Sequence, residues 1–218
     1  MHIQTSEMNK MILGIGNYSC NWGTHICGLY ETEEERDEII SGYLCQGLAD
    51  EDMEIYIHSE QTEDHFWNIL HTNCPHCQES SSNPGSLDVK EASELYYPTG
   101  VFDPWLMDEA INGYFDYTQA NGPRNLRAVA EMAWALQTIS GVEHLFAYES
   151  RLNYFVKDKT VVSLCLYNTS RISGEMLMNV LRTHPYSING GVVTVNPFYM
   201  EPDIWLSENA PQFLNAPE

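Results

Sequence analysis

The chain has 218 residues and a formal net charge of −21, from 31 acidic and 10 basic side chains, with 43% hydrophobic and 11% aromatic content. This composition supports one domain with a substantial core and gives no sign of disorder. Only residues 31–38 are densely acidic, and no basic face exists to neutralise phosphates, which argues against direct binding of nucleic acid or an anionic membrane.

In chain order, residues 1–21 show no period and read as an N-terminal arm or edge. Met11–Gly16 is too short for a secretory h-region, and no apolar run of ~20 residues occurs, so a cytoplasmic location is expected. Strand His25–Leu29 runs into a turn and a helix over Asp37–Leu48. This is the unit in which nucleotide-hydrolysing proteins place a phosphate loop. Here the turn has no Gly-Lys-Ser/Thr, and its acidic side chains repel a triphosphate. The crevice is therefore expected to take something small and uncharged, or cationic.

Strand Glu54–His58 leads to helix Thr62–His71 and a polar loop over 72–86. Leu87–Val89 reads as a short edge strand. Helix Asp103–Asn121 has Trp105, Leu106, Ile111, Tyr114 and Phe115 at helical spacing and stops at Gly122-Pro123. Strand Leu126–Ala130, helix Gly141–Phe155, strand Val161–Tyr167 and helix Ser173–Thr183 follow. His184-Pro185 reads as a helix stop. A strand pair near Gly191–Val195 comes last, and the polar tail 201–218 is a docking or frayed extension. Strands alternating with helices predict an α/β fold with a mostly parallel sheet covered on both faces. The near-continuous apolar run Val161–Leu166 suits a central parallel strand.

Ligands in such sheets bind beyond the carboxyl ends of the strands. There the chain places Tyr30 and Glu31, then His58, Ser59 and Glu60, then Glu131, Met132 and Trp134, and finally Tyr167 and Asn168. Aromatic walls with few polar groups suit a small, partly apolar ligand. Any single member of this set reads better as a core aromatic, a helix cap or a solvated carboxylate; the set as a whole reads as a ligand crevice.

The six cysteines, at 20, 27, 45, 74, 77 and 165, read as reduced thiols. His25 and Cys27 face the same side of one strand, and Cys165 on a neighbouring strand offers a third ligand for zinc or another soft metal. The favoured alternative is a packed thiol beside a His25 hydrogen-bonded to a carbonyl. Cys74-Pro75-His76-Cys77, with His71, allows an idle exposed thiol pair, a redox-sensitive clasp or half of an intermolecular metal site, in that order. Glu131 and Glu149 read as ligand anchors or, preferably, as ion-pair partners of Arg127 or Arg151.

The stretches Trp22–Tyr30 (WGTHICGLY), Gly47-Leu48, Leu126–Trp134 (LRAVAEMAW), Tyr148–Asn153 (YESRLN), Leu164–Tyr167 (LCLY) and Thr183–Pro185 (THP) stand in an order that resembles the MEDS sensory-domain family, over about residues 22–200. The resemblance implies a three-layer, RecA/KaiC-like fold without a phosphate loop. It also implies sensing of simple hydrocarbon derivatives such as methylated or halogenated one-carbon compounds, with no hydrolysis and no required cofactor. The expected ligand set is His25, Cys27, Tyr30, His58, Glu60, Glu131, Trp134, Tyr148, Glu149, Cys165 and Tyr167, with a crevice closing around Tyr30, Glu131, Trp134 and Tyr167. With no helix-turn-helix, kinase or phosphatase segment up to residue 218, the expectation is a separate signalling protein as partner, or else a fragment or a stand-alone sensor, and a homodimer is compatible with this. The competing readings are a thiol-based redox or metal-responsive protein using Cys74 and Cys77, a degenerate KaiC-like ATPase, and a purely structural subunit.

Overall fold

The structure, a computed structural model, describes residues 10–75, 77, 87–120 and 124–215. The expected Gly122-Pro123 stop, His76, residues 1–9 of the arm, 78–86 of the polar loop and 216–218 of the tail lie outside them. A hairpin of β1 (Lys10–Ile12) and β2 (Ser19–Asn21) precedes β3 (Thr24–Tyr30) and α1 (Glu33–Ala49). Next come β4 (Met53–His58), α2 (Glu63–Asn73), β5 (Leu87–Glu91) and the one-turn α3 (Ala92–Leu95). They are followed by α4 (Pro104–Ala120), β6 (Leu126–Glu131), α5 (Leu145–Val156), β7 (Val161–Asn168) and α6 (Gly174–Thr183). The chain continues through β8 (Tyr186–Asn189), β9 (Val192–Val195) and α7 (Pro202–Asn209).

The main sheet has seven strands in the order β5-β4-β6-β7-β3-β8-β9. All neighbours are parallel except β8 and β9, so the expected parallel sheet with an antiparallel C-terminal edge is the one that forms. The central strand β7 is buried at every residue but its last, as its apolar run requires on a sheet covered from both sides. One face packs Ile40, Tyr43 and Leu44 of α1 with Phe66 and Leu70 of α2. The other packs Met107 of α4, Leu152 of α5 and Val180 of α6.

Two local expectations change. Residues 1–21 contain the β1–β2 hairpin, whose three-residue strands are too short to display a period in sequence. Helix α1 begins at Glu33, not Asp37, because Thr32 caps it and Glu35 completes a capping box. The Glu35 carboxylate accepts from the backbone N–H of Glu31 at 2.7 Å and of Thr32 at 3.3 Å. Amides that in a phosphate loop would face a polyphosphate are taken by the chain's own carboxylate, at a helix end that favours negative charge.

Beneath α1 lies a buried ionic cluster. Arg127 is fully buried and donates to Asp52 at 2.7 Å, Asp50 at 2.9 Å and the Ile12 carbonyl at 2.9 Å, tying the hairpin to the sheet. Gly47 makes room for it: a Cβ there would lie 2.1 Å from Glu54 Oε1 and 2.5 Å from Arg127 Cδ. Glu54 is also fully buried, and neither carboxylate oxygen finds a partner among the described residues. Burial pushes its carboxyl well above the ordinary range, against the pull of Arg127. The folded state therefore holds this proton over a pH range where the unfolded chain has lost it, so the Glu54 contribution to stability falls as pH rises above about 4.5. Glu54→Gln should gain stability relative to the parent as pH is raised from about 5 to 8. Urea titrations at several pH values test this, and parallel curves for the two proteins would refute it.

The tail at 201–215 is docked: Trp205 and Leu206 of α7 are buried with Ala147 of α5, Ala210 and Phe213. No helix among the described residues is long and apolar enough to cross a membrane.

Candidate functional site

The structure divides the residues expected at the site between two networks on opposite faces of the sheet. The first lies at the strand ends. Glu131, fully buried, accepts from the backbone N–H groups of Ser59 (2.7 Å) and Glu60 (2.6 Å) and from the Tyr56 hydroxyl (2.9 Å), and stands 3.5 Å from Arg36. Tyr30 donates to Glu60, which also pairs with Arg171. His58 Nδ1 stands 3.2 Å from the Gln61 carbonyl. The cleft above, about 430 Å³, is lined by Glu33, Arg36, Ser59, Glu60 and Arg171 among others. Both arginines there are paired with carboxylates, and the amide pair at 59–60 is filled by Glu131. Among the described residues, the paired backbone amides and both arginines of this cleft are thus already engaged by carboxylates.

The second network is sealed between the sheet and α5. His25 and Cys27 project from β3 toward α5 and α6, and Cys165 and Tyr167 project from β7, with Cys27 in register beside Cys165. Glu149 comes from the middle of α5. His184 sits just past α6 in an extended conformation (φ −120°, ψ 119°), which the following Pro185 favours. His25, Glu149 and His184 are completely buried. His25 Nε2 is 3.1 Å from Glu149 Oε2 and 3.4 Å from Cys165 Sγ. His184 Nε2 is 3.3 Å from the same carboxylate oxygen, and the two imidazole rings stand 4.0 Å apart. Tyr167 donates to Glu149 Oε1 at 2.9 Å, and His184 Nδ1 is 2.7 Å from the Val180 carbonyl. Asn153 donates to the Thr183 carbonyl at 2.8 Å and so holds the chain entering His184. Burial alone would raise the Glu149 carboxyl, but the imidazoles of His184 and His25 set against it outweigh that and hold it well below its usual range. Burial, reinforced by His184, pushes His25 down to about 4.

Beside this cluster is a cavity of about 100 Å³ between β4, β6 and β7 and helices α4 and α5. Ile55, Ile57, Leu126, Ala128 and Ala130 form its floor, and Met107, Ile111, Leu152 and Phe155 its roof. Polar atoms come from Tyr96, Tyr114, Tyr148 and Ser163, and no lining residue is charged. Ser163 also contacts the cluster, with its hydroxyl 4.0 Å from Cys165 Sγ.

Several expectations are corrected by this geometry. Glu131 and Glu149 do not pair with Arg127 or Arg151; Arg127 pairs with Asp50 and Asp52, and Arg151 with Asp108. Arg127 and Glu131 share a face of β6 but stand four residues, roughly 13 Å, apart. Glu149 and Arg151 are two apart on a helix and point different ways. His25 meets a carboxylate and a thiol, not a carbonyl. Cys27 hands its thiol hydrogen to the Tyr186 carbonyl at 3.5 Å. Cys74 and Cys77 are not exposed: they are 0% and 6% accessible, because Cys74 caps α2 with its N–H on the Leu70 carbonyl and both thiols pack in the same core cluster as Phe66 and Leu70. His71 points outward and stacks on Trp67, away from the thiols. Trp134 and Tyr167 are core residues, separated from the network of Tyr30 and Glu131. Tyr148 lines the cavity. His184 is the member of this buried network that the sequence reading left out of the candidate site; an imidazole held extended by a following proline, after an amphipathic helix, is its only local signal.

A family model described as MEDS, the methanogen/methylotroph, DcmR sensory domain, matches residues 24–185. The transcriptional repressor DcmR of Methylorubrum extorquens is 22% identical over 161 residues, covering 73% of this chain and 57% of the repressor, so the chain spans somewhat more than half of that relative. A KaiC-like protein from Pyrococcus horikoshii shares the fold, with TM-score 0.53 and 10% identity over 77% of this chain and 70% of that one. So does an ATPase of the type III secretion system of pathogenic bacteria, with TM-score 0.56 and 11% identity over 94% and 65%. At these identities the two structures show the fold alone.

Proposed function

Because the chain belongs to the MEDS family of sensory domains, we propose that it binds a small uncharged organic molecule in the apolar cavity beneath α4 and relays its presence to a signalling partner. The observation that carries this reading is the cavity itself. Its volume of about 100 Å³ is below the range of drug-sized pockets, but apolar cavities of ~150 Å³ stay dry and take up benzene or xenon. One- or two-carbon halides, thiols or thioethers match that volume. An alkylammonium ion does not suit it, since no carboxylate lines the walls to offset desolvation of a cation. The relay runs through α4 and α5, which roof the cavity. A ligand shifts them only by the difference in its affinity for the two arrangements. Nucleotide hydrolysis is not supported by the strand-end cleft, where internal carboxylates occupy the amides and neutralise both arginines.

Thermal-shift titration with dichloromethane, methanethiol, dimethyl sulfide and methylammonium tests the proposal. The neutral compounds should raise the midpoint at millimolar concentration, and methylammonium should not. Ala128→Leu adds three carbons to the cavity floor, so it should weaken the response at least about tenfold while leaving the unliganded midpoint equal or higher. An undiminished response in Ala128→Leu, or none from any neutral compound in the parent, would show that the cavity is not the sensing site.

A further inference from the structure

The geometry points to a metal site: we propose that His25 Nε2, Glu149 Oε2, Cys165 Sγ and His184 Nε2 bind one divalent ion, zinc by preference, in four-coordinate geometry. These donor atoms all lie within 4.8 Å of one another. Zinc bonds of about 2.0–2.3 Å put tetrahedral ligands roughly 3.3–3.7 Å apart. The separations here are 3.1 Å from His25 to Glu149, 3.3 Å from His184 to Glu149, 3.4 Å from His25 to Cys165 and 3.6 Å from Cys165 to Glu149. They are four of the six edges of a tetrahedron sized for such an ion, and the other two, from His184 to His25 and to Cys165, are no longer than 4.8 Å.

The surroundings prepare the donors. With its Nδ1–H donated to the Val180 carbonyl at 2.7 Å, His184 turns a lone pair on Nε2 toward the centre. That Nε2 has no hydrogen-bond partner among the described residues, although a carboxylate oxygen lies 3.3 Å away. Two electron-rich atoms facing each other in a dry core repel unless a cation stands between them. Tyr167 holds the other Glu149 oxygen at 2.9 Å, turning Oε2 inward. Imidazole, carboxylate and thiolate together suit a borderline ion such as zinc better than magnesium or calcium. Four buried protein ligands leave no open position, which describes a site that holds structure. The ion would pin β3, α5, β7 and the α6–β8 junction together. This site stands whether or not the neighbouring apolar cavity is where the sensor takes its ligand.

The test uses the full chain, purified under reducing conditions without chelator. Elemental analysis should find one zinc per chain. After stripping, Co²⁺ should restore one equivalent, with the intense visible bands of a tetrahedral ion and a thiolate-to-cobalt charge-transfer band. Metal at a hundredfold excess over its dissociation constant should raise the thermal midpoint by more than about 5 °C. Cys165→Ser should abolish the charge-transfer band and weaken Co²⁺ binding at least about tenfold, with Cys74→Ser/Cys77→Ser unchanged. If the folded parent takes up less than about one tenth of an equivalent of either metal, the cluster is held by protons alone and the proposal fails. It fails equally if the metal survives in Cys165→Ser with its charge-transfer band intact, or is lost in the Cys74/Cys77 variant. The parent's own cobalt spectrum decides the matter even where a variant does not fold.

Discussion

Arg127→Ala should destabilise the protein by roughly 3–5 kcal/mol, because it strands the buried Asp52 carboxylate without its counter-charge. Asp52 is 2% accessible and accepts from this guanidinium at 2.7 Å, whereas Glu54, held protonated by burial, adds no charge of its own. The substitution also frees the Ile12 carbonyl and removes a cation held 5.3 Å from the Tyr43 ring. Truncating one member of a buried ionic group costs more than replacing the group as a whole. The triple variant Arg127→Met/Asp52→Asn/Glu54→Gln should therefore recover most of the loss. Equilibrium denaturation of the parent and both variants measures this. A single-variant loss below about 1 kcal/mol would mean that the cluster is wet and weak.

Trp134→Ala should cost about 3–5 kcal/mol, the range for emptying a large aromatic site. Trp134 is fully buried, stacked on Tyr96 at 4.6 Å and packed against Phe102 at 5.1 Å. Its indole N–H has no partner among the described residues, so Trp134→Phe forfeits volume alone and should lose under about 2 kcal/mol. The residue also reaches function at one remove. Tyr96 lies between Trp134 and the cavity and meets Tyr148 edge-on at 6.1 Å, and both tyrosines line the cavity. Trp134→Ala is thus expected to blunt the thermal response to small neutral ligands by loosening Tyr96, whereas Trp134→Phe keeps most of it. Equal responses in the two variants would detach the aromatic stack from ligand binding.

Much of the layout was legible from residue order. The alternation of apolar runs with helical spacing identified five single strands of the sheet, its final pair only as lying near Gly191–Val195, and the five long helices, because strand and helix periods are local properties of a chain. Glu33–Glu35 at the opening turn, where a phosphate-binding lysine is missing, already spoke against polyphosphate. Boundaries moved where a cap decided them: Thr32 starts α1 early, through a side-chain bond that composition does not reveal. The exposed reading of Cys74 failed because proline and polar neighbours suggested a loop, while the residue caps α2 and packs into the core with Phe66 and Leu70.

The candidate site is another matter. The chain order by itself determined a mostly parallel α/β scaffold whose opening turn has no Gly-Lys-Ser/Thr, since each part of that inference depends on neighbours within a few residues. Which buried groups meet was decided only by the tertiary structure. His25 and Cys165 touch across a separation of 140 residues, and His184 joins them because α6 ends where β8 turns back beside β3. Strand register and the depth of α5 against the sheet place these atoms, and both are settled by packing the whole core at once. No local pattern encodes that outcome.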